Sequence, residues 1–300
     1  MSTHLATNPT TTSPEIAPAM QPASLTLWPV DPAERNGGAI HAKVIDILPP
    51  RATGLARVVF LHGLVGLNDH WEEVVRLVRD RVPCTLFELP LLELRGEHCS
   101  IEGVARLTER FLREHVGGPA VLVGNSFGGH VALRMAIERP DLVRGLVLAG
   151  SSGLIEASIV ADVQIRPSRA WLERKIGELF FDQSKMRQSD VDRAHAELSE
   201  RGSARAMVRL SRSARRDVLR DRVGNIAVPT LLIWGRQDVV TPPDAAERFH
   251  TLIRGSRLEW FDGCGHVPMI EHPGPFASAL VDFVRGLSER PDKGDHRVAG

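Results

Sequence analysis

Residues 124–129 read Gly-Asn-Ser-Phe-Gly-Gly, the G-x-S-x-G spacing that sets a serine on a sharp strand-to-helix turn. Such a turn strains the serine backbone and tolerates only small neighbours. A serine hydroxyl is a poor nucleophile near neutral pH, so it requires a histidine base and an acid to orient that base. Two later loops supply both, in the order Ser, Asp, His. Gly235-Arg236-Gln237-Asp238 follows one apolar run and Gly263-Cys264-Gly265-His266 follows the next. Ser126 is thus the candidate nucleophile, His266 the candidate base and Asp238 the candidate orienting acid, with Glu156 as reserve acid. Each has a plain alternative: Ser126 as a helix N-cap, Asp238 as a turn cap before Pro242-Pro243, His266 as a loop histidine.

An acyl-transfer site also needs two backbone N–H groups aimed at the developing oxyanion. Phe127, next after the nucleophile, is expected to supply one, and Leu64, after the run ending Leu61-His62-Gly63, the other. His62 itself reads as structural, pinning that loop.

These residues work together only if the chain brings their loops to one place. Apolar runs at 57–62, 82–89, 120–124, 143–149, 228–234 and 257–261 alternate with helical patterns near 69–81, 101–115, 126–139, 245–253 and 276–287. That alternation predicts βαβ units and a mainly parallel sheet covered on both faces, with a weaker strand at 40–48 as an antiparallel edge. Loops at the carboxyl ends of parallel strands share one edge of the sheet, so the Ser126, Asp238 and His266 loops converge there. One interval breaks the pattern. Residues 153–225 show only helix-like segments, around 169–181, 190–201 and 204–223, and read as a cap. The expected organisation is a disordered tail at 1–24, a core of 25–152 and 226–288, the cap at 153–225, and a second tail at 289–300.

Composition narrows the function classes. Lys+Arg 37 balances Asp+Glu 37, leaving no global field to gather nucleic acid or anionic membrane. Three scattered cysteines suit neither a disulfide framework nor a cysteine metal site, and favour a reducing compartment. No stretch approaches the apolar length of a membrane span, and no signal-like apolar segment precedes Arg35. A cytoplasmic enzyme acting on a small molecule, with neither nucleic acid nor metal, is expected.

Taken together, His62-Gly63, Gly124 to Gly129, Trp234 to Asp238, and Gly265-His266 with Glu271-His272-Pro273 resemble the α/β-hydrolase fold superfamily, in its capped members with a serine nucleophile. The resemblance covers about residues 40–287. It implies an eight-stranded sheet with the helical cap inserted after the sixth strand, a Ser-His-Asp triad and no cofactor. Epoxide hydrolases and haloalkane dehalogenases carry an aspartate where this chain has Ser126, and the epoxide enzymes use cap tyrosines, which this chain lacks entirely. The expected activity is hydrolysis of a carboxylic ester or similar activated carbonyl. The chain also resembles the meta-cleavage product hydrolases, which cut carbon–carbon bonds: Asn125 fits their pattern, and Arg201 falls near their cap arginine for a substrate carboxylate. It departs from them at Leu64-Val65-Gly66-Leu67 and at Val267. A non-catalytic ligand binder on the same fold is the reading from another class, disfavoured because all three triad positions are filled. Arg201, Arg205, Arg209, Arg212, Arg216 and Arg220 recur at helical spacing, either as an anion-recruiting face or as a solvated outer one, and Trp171, Phe180, Phe181 and Met207 are candidates for the pocket roof.

Overall fold

Short apolar runs bounded by turn residues become strands buried along their whole length, as at Val58–Leu61, Ala120–Asn125 and Thr230–Gly235. The computed structural model describes residues 23–28, 40–154 and 167–289. Glu156 and the tails at 1–22 and 290–300 lie outside the described residues.

Eight strands form one sheet: β1 (Ala23–Trp28), β2 (Ile40–Ile47), β3 (Val58–Leu61), β4 (Cys84–Glu88), β5 (Ala120–Asn125), β6 (Val143–Ala149), β7 (Thr230–Gly235) and β8 (Arg257–Phe261), in the order β1-β2-β4-β3-β5-β6-β7-β8. The first two pairings, β1 with β2 and β2 with β4, are antiparallel, and all others are parallel. Helices alternate with them: α1 (Glu72–Val78), α2 (Ile101–Phe111), α3 (Phe127–Glu138), then α4 (Arg169–Gly177), α5 (Gln188–Ser199) and α6 (Arg201–Arg216) between β6 and β7, and finally α7 (Pro243–Leu252), α8 (Pro268–Glu271) and α9 (Pro273–Ser288). The inserted helices thus follow the sixth strand, where the strand pattern is interrupted.

Two expectations need correction. The strand β1 begins at Ala23, inside the segment read as a tail ending at 24, and it, rather than β2, is the antiparallel edge. Ser24, Leu25, Thr26 and Leu27 alternate with period two, but the run is short and follows a Ser/Thr/Pro-rich stretch that masks it.

Strand side chains alternate between two cores. Val59, Leu61, Leu122, Leu146 and Leu232 join α2, α3 and α7 on one face, while Val58, Phe60, Val121, Val147 and Ile233 join α1 and α9 on the other. The predicted apolar face of α1 and its lead-in turn is fully buried, with Trp71 meeting Phe60 and Phe276 rings at 5.1 and 5.7 Å. Burying both sheet faces leaves the carboxyl edge of the parallel strands as the place where chain emerges into loops, and there the candidate residues gather.

Candidate active site

The loop after β5 is shaped by contact distances. Ser126 has φ 52°, and it is the only non-glycine residue with positive φ among the described residues. A Cβ on Gly124 would lie 2.5 Å from the Gly128 backbone, and one on Gly128 would lie 2.3 Å from Leu61 O. Both positions therefore need glycine, because α3 crosses too close to β3 and β5 for a methyl group. The Ser126 amide donates to Ala149 O at 3.1 Å, fixing the turn to β6. Phe127 opens α3, and the first amides of a helix have no partner inside it, so its N–H lies outside the helical ladder.

Asp238 follows β7 and His266 follows β8, and both are buried. Asp238 Oδ1 accepts from the Val240 and Thr241 amides at 2.8 and 2.9 Å, and Oδ2 accepts from Thr241 Oγ at 2.8 Å. His266 Nδ1 lies 2.9 Å from the same Oδ2. A carboxylate only accepts, so Nδ1 carries a hydrogen, and in the neutral ring the lone pair is on Nε2. The two loops are also bonded to each other: Gln237 N–H donates to Cys264 O and the Cys264 amide donates to Gln237 Oε1, both at 3.0 Å. Trp234, fully buried, donates its indole N–H to Thr241 O at 2.8 Å, anchoring the loop that carries Asp238.

Ser126, Asn125, His266 and Leu64 line one cavity of about 170 Å³. Its remaining wall is mostly apolar and comes largely from the inserted helices: Trp171 and Ile176 of α4, Leu198 of α5, Ala204 and Met207 of α6. Lys175, His70 and Asp190 are the ionisable groups that join His266 in the lining. Burial opposes the Asp190 charge, yet His70 and Arg187 outweigh it and hold this carboxyl down at about 2. The loop carrying Leu64 is pinned by His62. The Leu89 amide donates to its Nε2 at 3.1 Å, so Nδ1 carries the hydrogen and donates to Gly63 O at 2.8 Å. Burial pushes the His62 pKa down, in keeping with a neutral, structural ring.

The sequence of residues 58–279 matches the alpha/beta hydrolase family. The chain belongs to that family. The hydrolase is 31% identical over 187 residues to a pimeloyl-[acyl-carrier protein] methyl ester esterase of Neisseria meningitidis, covering 58% of this chain and 59% of that one. It is 36% identical over 179 residues to 2-hydroxymuconate semialdehyde hydrolase of Pseudomonas sp. strain CF600, covering 55% and 62%. Both matches thus span less than two thirds of the relative. Among solved structures, an alpha/beta hydrolase enzyme from a lagoon-sediment metagenome of Mar Chica, Morocco, superposes with TM-score 0.65 at 27% identity, covering 82% of this chain and 95% of that one.

Within the hydrolase, Ser126, His266 and Leu64 meet at the cavity, with Phe127 beside Ser126 and Asp238 behind His266. Arg201 stands apart: it is exposed at the start of α6 and does not line the cavity, whose cap cation is Lys175 instead. Arg201 is the first residue of α6, and helical phase places the arginines that follow. Ala204 and Met207 face the cavity, so Arg205, Arg209, Arg212 and Arg216 fall on the opposite side and line a separate outer groove. Trp171, Phe180 and Met207 take roof positions, whereas Phe181 is 56% exposed. Asn125 reaches the cavity, but its Nδ2 is committed to Ala149 O at 2.9 Å and His266 O at 3.0 Å, bracing the loop that carries His266.

Sequence reasoning used Glu271 only as part of the family resemblance and gave it no role. This buried carboxylate accepts from the Phe181 and Asp182 amides at 3.0 and 2.9 Å and from the Gly265 amide at 2.6 Å, while the His266 amide donates to Leu179 O at 2.8 Å. The inserted helices and the loop carrying His266 are thereby stitched together. The sequence signal was an acid five residues after His266 in an otherwise apolar stretch.

Proposed function

We propose that the chain is a serine hydrolase that cleaves a carboxylic ester, or a similar activated carbonyl, through an acyl-enzyme. One observation carries the reading: a histidine whose Nδ1–H is held by a buried carboxylate shares an apolar cavity with a serine held at positive φ. Ser126 Oγ attacks the carbonyl carbon as its proton passes to His266 Nε2. The Leu64 and Phe127 amides bind the oxyanion. Collapse expels the alcohol, which takes the proton back from His266, and water then cleaves the acyl-enzyme by the same proton path. Asp238 stays ionised throughout and supports the imidazolium. The esterase relative supports this substrate class.

Carbon–carbon hydrolysis is the second reading, favoured by the Pseudomonas relative and by Lys175 as a cavity cation for a substrate carboxylate. In both readings the cap chooses the substrate while the core performs the chemistry, and three free cysteines support a reducing compartment such as the cytoplasm. No helix among the described residues is long and apolar enough to cross a membrane.

The test treats the purified chain and Ser126→Ala with an organophosphonate. Intact mass and peptide mapping should place one adduct on Ser126 and none on the variant, and turnover of p-nitrophenyl esters should vanish with it. An adduct on another serine overturns the assignment. A dienol-diketo acid assayed beside esters of graded chain length separates the two substrate classes.

A further inference from the structure

A second Ser/His/Asp set, with Ser152 and His130 buried and Asp217 half-buried, lies beneath the inserted helices. His130, one turn into α3 from Ser126, is fully buried. Its Nε2 is 3.0 Å from Asp217 Oδ2 and its Nδ1 is 3.3 Å from Ser152 Oγ. Ser152 stands where the chain leaves the core for the cap, and Asp217 stands where α6 ends. The two stalks are bonded to each other, with the Leu219 amide donating to Gly153 O at 2.9 Å. Arg134, one turn further along α3, donates to Asp217 Oδ1 at 2.8 Å. Both roots of the cap are therefore tied to the helix that starts at the nucleophile.

This set is not a second reactive centre. Neither His130 nor Ser152 lines a cavity described here, and His130 is wholly enclosed, so no substrate reaches them. Burial opposes charge on Asp217, but His130 and Arg134 outweigh it and hold the carboxyl below its ordinary value. The ionised carboxylate only accepts, so His130 donates from Nε2 and a neutral ring offers Nδ1 as an acceptor. The single Ser152 hydroxyl hydrogen then lies between two acceptors, Nδ1 and Ser126 O, the latter at 3.4 Å. Ser126 O already takes the His130 and Ser152 amides at 3.0 and 3.2 Å. That carbonyl belongs to the residue at positive φ, a conformation that persists only where its surroundings over-determine it.

We propose that Asp217, His130 and Ser152 form a positioning relay through which the seated cap holds the strained Ser126 backbone, so that the nucleophile reacts at full rate only when the cap roots are latched. The inference rests on the reading of Ser126 as nucleophile. All three are positioning residues, since none touches the cavity that Ser126 lines.

The experiment uses the full chain carrying Ser152→Ala or Asp217→Asn and measures the phosphonate labelling rate at Ser126, kcat and KM on a p-nitrophenyl ester, and thermal unfolding. Ser152→Ala should slow both labelling and kcat by roughly tenfold while KM stays within about twofold, the size of effect that coupled networks carry. Asp217→Asn should slow the same two rates even in fully folded protein. Wild-type rates in a folded Ser152→Ala variant overturn the relay, as does a loss that merely follows the fraction unfolded. Absence of Ser126 labelling in the wild-type chain sinks the catalytic reading instead, so the two failures are distinguishable.

Discussion

Replacing Asp238 by Asn changes one heavy atom, and the geometry dictates where the new NH₂ goes. Asp238 Oδ1 faces two amide donors at 2.8 and 2.9 Å, so only a carbonyl oxygen can sit there without setting donor against donor. The amide nitrogen must therefore take the Oδ2 position, 2.9 Å from His266 Nδ1 and 2.8 Å from Thr241 Oγ. An NH₂ group donates to Nδ1, which moves the ring hydrogen to Nε2 and removes the lone pair that would accept the Ser126 proton. A triad aspartate replaced in this way lowers kcat by about 10⁴, or roughly 5.5 kcal/mol of barrier. Stability should fall by only about 1–3 kcal/mol, the worth of a hydrogen bond to a charged group. Steady-state kinetics at pH 7, with circular dichroism to confirm folding, measures both. A folded Asp238→Asn variant within tenfold of wild type would refute the tautomer argument, and total loss in Glu156→Gln would move the acid to the earlier loop.

Because Lys175 lines the cavity and Arg201 does not, Lys175→Met should raise KM for carboxylate-bearing substrates by roughly tenfold with neutral esters spared, while Arg201→Ala should leave both unchanged; the reverse pattern in parallel KM measurements refutes the placement. Asp190 has its folded pKa depressed from 3.8 to about 2. The stability it contributes is therefore fully present above about pH 4 and lost as pH falls toward 2, in total about 2 kcal/mol. Denaturant melts of wild type and Asp190→Asn should differ near neutrality and converge at pH 2, and a constant difference across that window contradicts the assignment.

Ser126, Asp238 and His266 were legible because their signals are local. Each sits directly after a buried apolar run, and glycine marks each turn where backbones cross, as the Cβ distances at Gly124, Gly128 and Gly235 bear out. What escaped depends on relations that the sequence does not order. Thr241 supplies two of the groups around Asp238 and His266, its amide and hydroxyl, and its carbonyl ties the loop to Trp234, but a threonine before two prolines reads only as a turn. His130 and Asp217 are separated by 87 residues, and nothing local pairs them. For α6 the spacing of arginines defined a face, whereas the phase of Ala204 and Met207 decided which way that face points, and Arg201 is left outside the cavity at the first residue of the helix.

The bonds from Glu271 and Leu179 make His266 part of the roof as well as of the floor. A hinge that lifted the end of α4 would have to break the Glu271 clamp and the His266 amide bond. The same stitching bears on cap exchange between related enzymes. The graft has more to match than the two peptide crossings near 153 and 217: among its non-covalent seams is the one where residues 179–182 meet the loop 263–271, so a donor cap must bring a matching backbone to Glu271 or leave that carboxylate without its amide donors from that segment.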